Sequence, residues 1–196
     1  MNHFVIKEFV IPQLKGISRN TIDEHLKLYA GYVKNANLIQ DHIVELSVDS
    51  EKYAYELGEL QRRFAFEFDG MRNHEYYFSA LESGASQISN GELKEKITRD
   101  FESFELFMNK FKATALTRGI GWAMLFYDKQ NDCLLTQWID EQHLGHLTDC
   151  RIILALDMWE HSFVADYQPS GKKQYVEDFF ANLNWTVIED NYAKVK

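Results

Sequence analysis

The sequence predicts an α+β fold: an N-terminal antiparallel helical hairpin followed by a C-terminal lobe with a three-stranded antiparallel sheet and surrounding helices. Three observations lead to this prediction. Residues 21–46 carry apolar and aromatic side chains at helical spacing, and residues 51–81 have a second helical pattern. Further along, compact apolar runs at 121–127, 133–139 and 150–156 are separated by polar turns, which is typical of short strands.

The first helix has an inward stripe formed by His25, Leu28, Tyr29, Tyr32, Val33, Ala36 and Ile39. Several residues from Ser18 to Thr21 are candidate N-caps, and Asn20 with Asp23 resembles a capping box. A histidine on such a stripe is more often a hydrogen-bonded core residue than a ligand, so His25 alone does not define a site.

The second helical region has possible breaks at Gly58 and Gly70 and carries His74 in the same sector as Gly70 and Tyr77. Its aromatic face is formed by Phe64, Phe68, Met71, Tyr77 and Phe78. Because only a short link joins the two helices, they are expected to pack antiparallel, which can bring His25 and His74 together.

The polar, glycine-containing residues 83–91 mark the predicted boundary between a helical-hairpin lobe, 1–85, and an α/β lobe, 86–196. With only two prolines and no low-complexity tract, the chain leaves little room for a flexible linker.

In the second lobe, helices are predicted at 91–100, which Asn90 caps, and at 103–115. The three strands are most simply arranged as an antiparallel meander. Two more helices, at 159–167 and 174–182, are expected to follow the sheet.

Composition excludes some classes of function. The net charge of −9 over 196 residues argues against a nucleic-acid or anionic-membrane partner, because phosphate groups are bound by basic surfaces. Cys133 and Cys150 are expected to be free thiols of a reducing compartment. The first residues do not form a signal peptide, and no stretch approaches the roughly 20 apolar residues that span a bilayer, so a cytoplasmic location is expected.

The segment Asp157-Met158-Trp159-Glu160-His161 follows the most apolar run of the chain. A carboxylate at the end of a buried strand is costly unless a charge or a metal compensates it. Asp157 and His161, taken with His25 and His74, make a mixed nitrogen and oxygen set of the kind that holds Mn or Fe. The D-x-x-x-H spacing is common by chance, so spacing alone leaves the assignment open.

This segment resembles the D-x-W-E-H signature of the iron/manganese superoxide dismutases. Other matching positions, in chain order, are 21–25, Tyr32, Val33, Asn35, Asn37, Asn73, His74, Tyr77, Phe78, Gly119, Gly121, Trp122, Ala123, Asn184 and Trp185. In order and spacing, the resemblance covers about residues 18–192.

The resemblance implies a superoxide dismutase, which converts superoxide to O₂ and H₂O₂ by alternately reducing and oxidising one Mn or Fe ion per chain. It assigns His25, His74, Asp157 and His161 as the metal ligands.

Tyr32 matches the gateway tyrosine of the family. Gln142 falls where manganese-type members place the glutamine that hydrogen-bonds the metal-bound solvent, whereas iron-type members usually carry that glutamine at the position of Gly70. The combination favours Mn without deciding the metal. Trp122 and Trp159 are expected to wall the pocket, although such aromatic residues can be simply core.

In the family, the residue at Glu160 crosses the two-fold interface of a homodimer to bind the last histidine ligand of the partner subunit. Most members carry a histidine where this chain has Tyr29, at the mouth of the site, and a tyrosine where it has Val164. Lys172 or Lys173 stands near a position where members carry an arginine that guides superoxide.

Two alternatives stay open. A non-catalytic relative would use the same fold for assembly or interaction, and would be expected to lack ligands. A metal-dependent oxygenase usually needs two histidines, one carboxylate and open positions, so the extra histidine counts against it.

Overall fold

A computed structural model describes residues 2–196 and confirms the predicted α+β class. Its helices are α1 Arg19–Leu46, α2 Ala54–Ser79, α3 Glu92–Phe101, α4 Phe104–Ala115, α5 Val164–Tyr167, α6 Lys172–Asn182 and α7 Trp185–Ala193. Its strands are β1 Gly121–Asp128, β2 Cys133–Asp140 and β3 Cys150–Asp157. Short 3₁₀ turns occupy Ser47–Asp49, Glu160–Ser162 and Pro169–Gly171.

The helices α1 and α2 pack antiparallel, as predicted. The pairs that meet across their interface are His25 with His74, Tyr32 with Gly70, and Asn35 with Glu67. From one pair to the next, the residue number increases along α1 and decreases along α2, so the two helices run antiparallel. The helix α2 runs without a break through Gly58 and Gly70.

The cap of α1 differs from the predicted capping box. Ser18 is the N-cap, and its hydroxyl accepts the backbone N–H of Thr21 at 3.2 Å. Asn20 lies inside the helix, so the box with Asp23 is wrong. At α3 the N-cap is Gly91, with no side-chain hydrogen bond.

The sheet order is β2-β1-β3, with both pairings antiparallel, so the predicted meander is wrong. The reason is burial. The strand β1 is buried along nearly its whole length and takes the central position, whereas β2 has exposed positions and forms an edge. The register places Trp122 of β1 opposite Asp157 at the end of β3.

The C-terminal region contains a helix that the sequence prediction missed. Asn184 caps α7, its side chain accepting the N–H of Thr186 at 3.2 Å. The single helix predicted at 159–167 is instead a 3₁₀ turn followed by α5.

The two cysteines do not pair. Cys133 and Cys150 are free and lie on opposite sides of β1, each opposite Asp128 in the sheet register. Within residues 2–196, no helix combines the length and apolar character needed to cross a bilayer.

Candidate metal centre

Four side chains converge where the helical hairpin meets the end of the sheet. His25 comes from α1, His74 from α2, Asp157 from the last position of β3, and His161 from the 3₁₀ turn that follows. Their candidate ligand atoms all lie within 4.8 Å of one another. The structure therefore brings together the four residues that the family resemblance assigns as ligands.

Asp157 Oδ2 is the centre of this cluster. The Nε2 atoms of His25, His161 and His74 lie 3.0, 3.1 and 3.5 Å from it. The other oxygen, Oδ1, accepts the backbone N–H of Trp159 at 2.8 Å, which fixes the orientation of the carboxylate. The three imidazoles thus face one oxygen that the strand end holds in place.

The tautomer of His74 shows that the cluster suits a cation. Its Nδ1 lies 2.6 Å from the carbonyl oxygen of Gly70, and a carbonyl only accepts, so Nδ1 carries the proton. The Nε2 atom then carries a lone pair, and it is buried with no hydrogen-bond partner among the described residues. A lone pair that faces a carboxylate oxygen is repulsive unless a positive charge lies between them. The donor set therefore fits a metal ion.

The protonation states also suit metal binding. Burial, followed by the charge of His25, lowers the pKa of His74 to about 3, and burial lowers the pKa of His25. Burial opposes ionisation of Asp157, but the charge of His161 and hydrogen bonds from His161 and His25 hold its pKa below the usual range. A neutral His74 imidazole and an ionised Asp157 carboxylate are the forms in which these groups ligate metals.

A hydrogen-bonded chain extends from the sheet to α1. The indole N–H of Trp122 donates to Gln142 Oε1 at 2.9 Å, and Gln142 Nε2 donates to the Tyr32 hydroxyl at 2.9 Å. The carbonyl oxygen of Gln142 accepts the side-chain amide of Asn73, the neighbour of His74, at 2.8 Å. The loop after β2 is therefore tied directly to the ligand-bearing helix.

Tyr32 closes one side of the cluster. Its ring centroid lies 5.0 Å from that of His74. Burial, and then the charge of Asp157, raise the pKa of Tyr32 above its usual range, so the phenol keeps its proton. A Cβ atom at Gly70 would lie 2.6 Å from Tyr32 Cδ1, so glycine leaves the space that the tyrosine ring occupies.

The outer wall contains a residue that the sequence prediction missed. The Phe66 ring lies 6.0 Å from Tyr32, 6.4 Å from Trp159 and 5.7 Å from His143, measured between centroids. Trp159 in turn stacks on His161, with centroids 5.8 Å apart. Phe66 is not part of the aromatic stripe of α2 described above, so the helical periodicity of the sequence did not indicate that it belongs to the site.

Tyr29, which the resemblance places at the mouth of the site, has its ring 6.5 Å from that of His74, measured between centroids. Its side chain is buried, with its ring 5.7 Å from Phe9. Its hydroxyl accepts the backbone N–H of Lys7 at 3.0 Å and lies 3.4 Å from Glu75 Oε1. The extended N-terminal segment covers this position, which is why Tyr29 is interior.

The remaining predicted positions lie further out. Glu160 is exposed beside His161, whose side chain is 22% exposed, and Val164 is half-buried. Lys172 donates to the carbonyl oxygen of Thr117 at 2.9 Å, and its ammonium nitrogen lies 5.4 Å from the centroid of the Trp138 ring.

The comparisons with known proteins point to one family. A family model described as iron/manganese superoxide dismutases, C-terminal domain, matches residues 89–191. An iron superoxide dismutase of Aquifex aeolicus is 31% identical over 96% of this chain and 90% of its own length. The iron enzyme of Cupriavidus metallidurans is 35% identical over 92% and 91%, and the manganese enzyme of Mycolicibacterium fortuitum is 32% identical over 86% and 81%.

The α+β fold holds three imidazoles and one carboxylate in a cluster that could bind one metal ion. The chain belongs to the iron/manganese superoxide dismutase family. It is an oxidoreductase that converts superoxide to O₂ and H₂O₂ with one Fe or Mn ion. The comparisons do not favour a non-catalytic relative.

Proposed function

We propose that His25, His74, Asp157 and His161 hold the ion at which superoxide dismutation takes place. The observation that carries this assignment is the buried, unpartnered Nε2 of His74 facing Asp157 Oδ2 at 3.5 Å. When bound, Fe or Mn supplies the redox chemistry, taking an electron from one superoxide and giving it to the next.

The chain's own residues manage protons, since two protons are consumed for each H₂O₂ formed. Tyr32 holds a proton on its phenol oxygen, because burial raises its pKa. Gln142 donates one N–H to Tyr32 and has a second N–H for the solvent bound at the metal. Trp122 orients Gln142 through its indole N–H, and Trp159 walls the pocket beside His161.

We propose that Mn is the preferred ion. Gly70 has no side chain, and the amide next to Tyr32 comes from Gln142 instead, which is the manganese-type arrangement. The relatives include both iron and manganese enzymes, so similarity does not decide the metal. Activity and metal analysis of separately Mn-loaded and Fe-loaded protein test this preference, and an active form only with Fe would contradict it.

A homodimer is the proposed assembly. Glu160 is exposed and its carboxylate makes no hydrogen bond or ion pair within residues 2–196, and the adjacent His161 is partly open to solvent. In a symmetric pair, each Glu160 can bind the last histidine ligand of the other copy. Glu160→Ala is expected to weaken the dimer in analytical ultracentrifugation, and an unchanged tight, fully active dimer would exclude the bridge.

The ligands divide between the two proposed lobes. His25 and His74 belong to lobe 1–85, and Asp157 and His161 belong to lobe 86–196. We propose an antioxidant role in the cytoplasm, with no nucleic-acid or membrane partner. The support is the charge of −9 and the two free thiols.

The test of the ligand set compares two histidines. His74→Ala is expected to abolish high-affinity binding of Mn and Fe, because the lone-pair donor is removed. His42→Ala is the control, since His42 is an exposed residue of α1 outside the cluster. Metal content after dialysis, measured by mass spectrometry, gives the answer, and a His74→Ala protein that retains one tightly bound ion would overturn the assignment.

A further inference from the structure

An anionic substrate faces a protein with a net charge of −9. Such a charge slows encounter with superoxide unless a local positive field lies at the entrance to the site. One of the two candidate stand-ins, Lys172, is bound to the carbonyl oxygen of Thr117. The other candidate, Lys173, is exposed and has no contact with the residues that wall the site within residues 2–196, whereas Arg63 packs on one of them.

Arg63 lies at the outer wall of the site. Its guanidinium carbon is 3.7 Å from the centroid of the Phe66 ring. Phe66 is the residue whose ring also meets Tyr32, Trp159 and His143, as described above. Arg63 therefore covers the outer face of the aromatic ring that lines the entrance.

Arg63 pairs with Glu67, and its guanidinium group lies on the solvent side of that ion pair. Its Nε and Nη2 lie 2.9 and 2.8 Å from Glu67 Oε1. The side chain of Glu67 is 6% exposed and that of Arg63 is 50% exposed, so the carboxylate lies behind the guanidinium. An anion that approaches from outside comes closer to the exposed guanidinium than to the buried carboxylate, and the nearer charge has the larger Coulomb energy with it.

Other charged groups face the same region. Glu67 also lies 3.4 Å from the side-chain amide of Asn35. The neighbouring Arg62 is bound to Glu59 at 2.7 Å, with both side chains well exposed, so its field is cancelled at the surface. Among these pairs only that of Arg63 separates an outer cation from an inner anion.

We propose that Arg63 is the cation that draws superoxide to the mouth of the site, a role that rests on the proposed function. Arg63 makes no contact with the ligand residues, so it acts on the rate of encounter and not on the redox step.

The decisive experiment measures kcat/KM for superoxide as a function of ionic strength, by pulse radiolysis of the metal-loaded protein. Arg63→Gln is expected to lower kcat/KM by about two- to tenfold at low salt and to flatten its salt dependence. Arg62→Gln is the matched control, because it removes the same charge one residue away, and it should behave like the wild type.

Removing Arg63 leaves Glu67 buried without its cation, so the double variant Arg63→Gln, Glu67→Gln tests the idea without that destabilisation. Its net charge equals that of the wild type. It should therefore lose the salt dependence if the local field acts, and keep it if only the net charge matters. Binding of inorganic azide, followed optically, should weaken in parallel in both Arg63 variants.

The two proposals fail in different ways. A wild-type protein that binds neither Mn nor Fe and has no activity would remove the proposed ligand set. An active wild type whose Arg63 variants match Arg62→Gln in salt dependence and azide affinity would remove only the role of Arg63.

Discussion

The glycines of α2 offer a direct test of how the site is packed. Gly58 and Gly70 both lie in the interior of this helix. A Cβ at Gly58 would meet nothing within 4 Å, whereas a Cβ at Gly70 would lie 2.6 Å from Cδ1 and 2.7 Å from Cε1 of Tyr32. The same substitution, glycine to alanine, therefore has opposite expected effects at two positions of one helix.

The magnitudes follow from these contacts. In a helix interior, alanine is more stable than glycine by about 0.5–1 kcal/mol, and this is the whole expected effect of Gly58→Ala. At Gly70 the same gain is opposed by about 1–3 kcal/mol of overpacking. Displacement of Tyr32 also breaks its hydrogen bond with Gln142, worth about 1 kcal/mol. The two variants should differ by roughly 2–4 kcal/mol in the free energy of unfolding.

Thermal unfolding of the two variants at matched metal content measures this difference. For a chain of this size, it corresponds to melting temperatures roughly 4–16 °C apart. Gly70→Ala should also lower turnover, because Tyr32 moves away from Gln142, while Gly58→Ala should not. Equal melting temperatures, together with unchanged turnover in Gly70→Ala, would refute the close packing of Tyr32 on α2.

Three other predictions concern backbone strain, the amide of the site and pH. Glu102 has φ +68°, so Glu102→Gly should raise the free energy of unfolding by about 0.5–1 kcal/mol in urea titrations, and Glu102→Ala should not. Trp122→Phe removes the donor to Gln142 Oε1 and should lower kcat more than metal content, so an unchanged kcat would contradict the hydrogen-bonded chain. In the metal-free protein, the pKa of His74 is about 3 against an ordinary 6.5, so the unfolded state binds more protons between these values. Stability should thus be complete above pH 6.5 and fall on acidification, with Asp157 adding a further loss below its unfolded pKa of roughly 4; equal urea midpoints at pH 5 and 7 would contradict this.

The sequence predicted the parts of the fold that depend on local patterns. The helical stripes gave α1 and α2, and the apolar runs gave the three strands close to their observed bounds. The order of the strands was not predictable in the same way. All three runs are apolar, and only burial on both faces makes β1 the central strand.

The residues of the candidate site also fall into two groups: some are predictable from local sequence patterns, and others depend on contacts between distant parts of the chain. Asp157 and His161 belong to one short sequence signature, and Gln142 lies 15 residues before Asp157 in the sequence. These three residues could therefore be found from the sequence. The burial of Tyr29 depends on Lys7, twenty-two positions earlier, through a backbone contact that no periodicity reveals. Phe66 is a similar case, because its place in the site depends on Tyr32, His143 and Trp159 of other elements. Arg63 packs on Phe66 from the preceding turn of the same helix.

The contact between His25 and Asp157 joins residues that are 132 positions apart. At about 5–20 residues per second, a ribosome needs roughly 7–26 s to add that stretch. Once His74 has been added in this interval, the growing chain has the two helical histidines but lacks the carboxylate around which the cluster is arranged. Capture of the ion is therefore a late event in the life of the molecule, and it waits for the sheet to dock on the hairpin. We therefore expect the metals that compete for this site to be those present where folding is completed, and not those present where synthesis begins.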